Sequence, residues 1–133
     1  MVMNMINKFA IAILIIACTF IGQTNHKEVS YMNITAQEAK EIMDREEGYI
    51  ILDVRTEEEY AEGYIPNAML ISDYEIETKA EELLKDKNQL ILVYCRSGRR
   101  SKLAAESLIK LGYTNIKEFG GIIDWSYEIE KVE

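Results

Sequence analysis

Strand and helix signals alternate along residues 33–133, which predicts an α/β domain with a central parallel β-sheet and helices on both faces. Two further observations point the same way. The strand candidates "YIILDV" and "QLILVY" are short apolar runs, as strands buried on both faces require. Helical patterns separate them, and a crossover between parallel strands needs such a segment.

The elements follow in order. "ITAQEAKEIMD" opens a helix, with Thr35 and Glu38 at capping-box spacing. Tyr49–Val54 is a β-branched apolar run that follows Gly48 and reads as a strand. Thr56 and Glu59 repeat the capping-box spacing and predict a short helix through Ala61. Gly63 and Pro66-Asn67 are turn signals before a short strand at Met69–Ile71. "IETKAEELLKD" predicts an amphipathic helix, and Gln89–Tyr94 a second buried strand. After Ser101, the apolar residues Leu103, Ala104, Leu108 and Leu111 recur near the helical period, and Gly112 ends the helix. "NIKEF" is a last short strand before "GGIIDW".

The chain has 133 residues and a single proline, which suits one packed domain with an N-terminal extension. Its formal net charge of −8 argues against general nucleic-acid binding, because phosphate neutralisation needs a basic face. Residues 1–21 form an apolar leader, with Lys8 ahead of an uncharged run from Phe9 to Ile21. The run is shorter than the roughly 20 apolar residues of a membrane span and has the character of a secretory h-region. Ile15-Ile16-Ala17-Cys18 resembles a bacterial lipobox, with Cys18 the lipid acceptor. The alternative is an uncleaved anchor in which Cys18 is one more apolar residue. Either version predicts an extracytoplasmic domain, tethered to the membrane by lipid or leader, or soluble beyond it. Residues 22–32 are polar and aperiodic and read as a linker that includes the lone histidine, His26.

The chemistry gathers at "VYCRSGRRS", Val93–Ser101. Cys95 ends an apolar strand and precedes a helix, and ligands of open α/β sheets bind beyond the carboxyl ends of strands. Arg96, Arg99 and Arg100 surround it with positive charge in an otherwise acidic chain. Nearby cations and a helix N-terminus lower a thiol pKa, so Cys95 is expected to react as a thiolate. Gly98 lets the loop bend until successive N–H groups form an anion nest, and Ser97 and Ser101 add hydroxyl donors. Ser101 has a second reading, as a simple N-cap. Two distant cysteines and one histidine offer no metal-ligand set, and no cofactor is expected.

Three blocks in order, Leu52–Ala68, Val93–Ser101 and Phe119–Trp125, make residues 33–130 resemble a single-domain rhodanese, or thiosulfate sulfurtransferase. The resemblance implies a rhodanese fold and a persulfide on Cys95. Sulfur would come from a small anionic donor such as thiosulfate and pass to cyanide, a thiol or a protein acceptor. It also implies that the amides from Arg96 to Arg100 hold the anionic sulfur, that Arg96 and Arg99 steer the donor, and that Arg100 organises the loop. Asp53, Arg55 and Glu59 belong to the family's second signature and read as a brace for the loop ends, while Trp125 reads as core. Tyr64 departs from the family, which often has histidine there. Two rivals stay open. A related cysteine phosphatase or arsenate reductase would have five residues between cysteine and arginine, whereas four separate Cys95 from Arg100. A persulfide relay or protein-binding module would use the same cysteine without efficient thiosulfate turnover.

Overall fold

A computed structural model describes residue 28 and residues 30–133. The 1–21 leader with Cys18, and His26 in the linker, lie outside the described residues. Five strands, β1 (Met32–Asn33), β2 (Ile50–Asp53), β3 (Met69–Leu70), β4 (Ile91–Cys95) and β5 (Ile116–Gly121), form one sheet in the order β1-β5-β4-β2-β3. Every neighbouring pair is parallel. The helices are α1 (Ala36–Arg45), α2 (Glu57–Glu62), α3 (Ile76–Leu83) and α4 (Arg99–Lys110), and single 3-10 turns follow β3 and β5.

The pleat of β4 shows how the sequence builds both faces. Ile91, Val93 and Cys95 point to one side, where Ile76 and Ala80 of α3 and Ala104, Ala105 and Leu108 of α4 cover them. Leu92 and Tyr94 point to the other, against Ala39 of α1, Phe119 and Trp125. A strand covered twice has no polar face, which is why "ILVYC" lacks alternation. Both capping boxes form. Thr35 Oγ1 accepts from the Glu38 amide at 3.1 Å while Glu38 accepts from the Thr35 amide at 2.7 Å, and Thr56 and Glu59 exchange the corresponding bonds.

Three elements differ from the sequence expectation. Strand β1 lies where residues 32 and 33 join linker to domain, and it pairs Met32 and Asn33 with Lys117 and Glu118. Both of its side chains are exposed, so this edge strand carries no hydrophobic pattern to betray it. Helix α4 begins at Arg99, ahead of the expected start after Ser101, because Gly98 at φ +104° turns the chain into the helix. Strand β5 runs on to Gly121 through a register shift opposite Val93–Cys95, where Gly120 adopts φ +85°.

Candidate active site

Cys95 is the last residue of β4, the strand between β2 and β5, and only 1% of its surface is exposed. Its Sγ accepts a hydrogen bond from the Gly98 amide at 3.0 Å and lies 3.3 Å from Ser101 Oγ. Burial pushes the thiol pKa up. Hydrogen bonds from the Ser101 hydroxyl and from the amides of Ser101, Gly98 and Ser97 outweigh it and hold the thiol below its ordinary value. These donors sit where β4 ends and α4 begins, so the strand–loop–helix order expected from sequence supplies them. Arginines and loop amides were together expected to keep the thiol ionised; the amides and Ser101 make the hydrogen bonds to sulfur, and the Arg100 charge interacts with it as well. Ser101 is not an N-cap: it lies inside α4 and is fully buried, turned toward the sulfur.

Arg96, Ser97 and Arg99 are exposed around the loop mouth, whereas Gly98 is buried. Arg100 is engaged elsewhere. Its Nη1 and Nη2 donate to Glu59 Oε1 and Oε2 at 2.7 and 2.8 Å, which ties the first turn of α4 to α2. The Arg100 hydrogen bonds hold the Glu59 carboxyl down to about 2, against burial. Asp53, at the end of β2, and Arg55 form a buried pair through Nη2–Oδ2 at 2.7 Å and Nε–Oδ1 at 3.0 Å. Arg55 also donates to the Gly63 carbonyl at 2.6 Å, and its own carbonyl accepts from Ser72. These contacts brace the segments after β2 and β3 and bring neither residue to the sulfur. Tyr64 exchanges backbone hydrogen bonds with Glu130 at 2.8 Å and stacks on Tyr60 at 4.2 Å, which pins the C-terminal tail. Trp125 packs against Phe119 and Tyr127 as a core residue.

Two parts of the site were not assigned by sequence reasoning. Gly121 carries the loop: a Cβ there would lie 2.0 Å from the Arg96 carbonyl oxygen and 2.5 Å from Ser97 Cα. The glycine pair was visible, but its role needs the loop folded back over it. Glu118 is the other, a carboxyl only 2% exposed. Its Oε1 accepts from Ser101 Oγ at 2.6 Å and from the Gly120 amide at 2.8 Å. The signal was present in the alternation along β5, which puts Glu118 in phase with the core residue Ile116.

The amides of Ser97, Gly98 and Ser101, the Ser101 hydroxyl and a buried, activated thiol suit nucleophilic attack on a small anionic centre. Among the described residues no cluster of side chains could hold a metal ion. The sequence profile described as rhodanese-like domain matches residues 35–128. YrkF of Bacillus subtilis (strain 168) is 37% identical over 102 residues; the match covers 76% of this chain but only 54% of YrkF. The thiosulfate sulfurtransferase PspE of Escherichia coli (strain K12) is 36% identical over 73 residues, covering 55% of this chain and 70% of PspE. The solved structure of a rhodanese-like domain protein from Staphylococcus aureus superposes with a TM-score of 0.66 at 35% identity, covering 77% of this chain and 99% of that one.

Proposed function

Because the chain belongs to the rhodanese-like domain family, we propose that it is a sulfurtransferase that carries sulfane sulfur as a persulfide on Cys95. The observation that carries this reading is the buried Sγ with the Gly98 amide at 3.0 Å and Ser101 Oγ at 3.3 Å. In the first half-reaction the Cys95 thiolate attacks the outer sulfur of thiosulfate. The Sγ–S bond forms, the donor's S–S bond breaks, and sulfite leaves with the electron pair. In the second, cyanide or a thiolate attacks the terminal sulfur and Cys95 departs as thiolate. This is covalent catalysis in two displacements, each of the type seen in thiol–disulfide exchange. The loop amides hold the terminal persulfide anion, and the exposed Arg96 and Arg99 attract the dianionic donor.

Relay to a protein acceptor uses the same chemistry, and the exposed loop mouth supports it. A phosphatase reading fares worse. Arg100 is committed to Glu59, and the sixth residue after Cys95 is Ser101, bonded to the Glu118 carboxyl. A carboxylate beside the loop opposes phosphate binding. We place the domain outside the cytoplasm, tethered through Cys18, on the sequence argument alone; no helix among the described residues is long and apolar enough to cross a membrane.

The test is the intact mass of a leader-free domain before and after thiosulfate, beside Cys95→Ser. The expected result is a gain of one sulfur atom, reversed by cyanide and absent in the variant. No gain from thiosulfate, with Cys95 still alkylated by iodoacetamide, would remove thiosulfate as donor.

A further inference from the structure

The Cys95 thiol, the Ser101 hydroxyl and the Glu118 carboxyl form a continuous buried chain. Sγ lies 3.3 Å from Ser101 Oγ, and Oγ lies 2.6 Å from Glu118 Oε1. Ser101 Oγ also has the carbonyls of Gly98 and Gly120 at 3.1 and 3.3 Å, but the carboxyl is the nearest acceptor and the strongest. A serine hydroxyl has one proton to give. While it donates to Glu118 it can only accept from the thiol; once it donates to a thiolate, the Glu118 contact is kept only if the carboxyl has gained a proton and donates in turn.

We propose that Glu118 is the internal proton acceptor of Cys95, acting through Ser101 as a positioning residue for the sulfur-transfer step. The shift is concerted. The thiol proton passes to Ser101 Oγ as the Ser101 proton passes to Glu118 Oε1, and the electron pair of the S–H bond stays on sulfur. One proton and one negative charge belong to the pair before and after, so the buried site never has to hold two anions to make its nucleophile. The amide donors to Sγ then stabilise the charge where it is needed. Glu118 also lines a cleft with Asn33, Thr35, Ser97, Lys102 and Asp124, which gives the carboxyl an outlet for exchange with solvent. The charged or titratable groups around it are Cys95 from β4, Lys102 from α4, Asp124 from the turn after β5, and Tyr31 ahead of β1. The phenol of Tyr31 is pushed up by burial and by the charges of Glu106 and Glu118.

This inference deepens the sulfurtransferase reading and rests on it, but its test uses no sulfur donor. The rate of Cys95 alkylation by iodoacetamide is measured against pH for the wild type, Glu118→Gln, Ser101→Ala and Ser101→Thr. A shared proton makes the wild-type profile two-stepped, with a low-pH shoulder where the pair carries a single charge. Glutamine keeps an oxygen to accept from Ser101 and Gly120 but takes no proton. Glu118→Gln should therefore lose the shoulder and fall about tenfold per pH unit below a single thiol pKa. Ser101→Ala, which breaks the chain with Glu118 intact, should do the same, and Ser101→Thr should restore the shoulder. A single-stepped wild type, or a shoulder that survives in both Glu118→Gln and Ser101→Ala, overturns the relay. If Glu118→Gln does not fold, the two Ser101 variants decide. Absence of persulfide in the mass experiment would remove thiosulfate as donor and leave these profiles unaltered.

Discussion

Gly121→Ala isolates the contact that sets the height of the catalytic loop. Its backbone is extended, at φ −132° and ψ 156°, so alanine introduces no torsional strain there. The added Cβ would stand 2.0 Å from the Arg96 carbonyl oxygen, 2.3 Å from its carbon and 2.5 Å from Ser97 Cα. All three are backbone atoms with no rotamer to give way. Ordinary contact begins at 3.4 Å, so the loop and β5 must separate by about 1.4 Å. Overpacking of this kind costs about 1–3 kcal/mol. The larger effect is on chemistry, since a misplacement of about 1 Å can lower a positioned reaction about 100-fold. The expected result is a folded protein with thiosulfate:cyanide kcat/KM down about 100-fold and only modest loss of stability by urea titration. Leu84→Ala, at the end of α3 and 1% exposed, is the control. It should cost about 2–5 kcal/mol and leave the kinetics of the folded enzyme within a few-fold. If Gly121→Ala keeps wild-type kcat/KM, the loop does not rest on Gly121 as argued; if both variants lose activity in proportion to stability, positioning is not the cause.

The Glu59–Arg100 pair gives a pH signature. The folded-state pKa of Glu59 is depressed, so its stabilisation is present above the unfolded value of 4.5 and is lost as pH falls toward about 2. The shift corresponds to about 3 kcal/mol at most. Screening at side chains 20% and 27% exposed reduces that to about 1–2 kcal/mol. Urea unfolding of wild type and Glu59→Gln should converge by that amount across this window, and parallel curves would refute the pairing. Asp53→Ala strands the Arg55 guanidinium in the interior, and a loss of about 3–5 kcal/mol is expected in the same assay, with less than 1 kcal/mol as the contrary outcome. For the N-terminus, labelled palmitate should enter the full-length chain expressed in a bacterium and be lost in Cys18→Ser; equal labelling of both would remove the lipid anchor.

The alternation of apolar runs and helical patterns made the parallel α/β architecture legible, because burial on both faces leaves a compositional trace in each strand. Both capping boxes were legible too, since their partners lie three residues apart. Cys95 stood out for the same local reason: strand end, glycine-bearing loop and helix start are contiguous in sequence. What sequence could not show are the contacts between segments distant along the chain. The pairing of Arg100 with Glu59 joins residues 41 apart. Glu118 read as one of many acidic residues until β5 aligned beside β4 and brought it within reach of Ser101. An amide nest and flanking arginines were both legible around Cys95, but which amides reach the sulfur was not, because the direction of a backbone N–H is not visible in a sequence. Residue order determined the fold and placed the Cys95 thiol at a strand end; only the tertiary structure decided which groups hydrogen-bond that thiol, because hydrogen bonds depend on positions and angles that separate strands and helices set together.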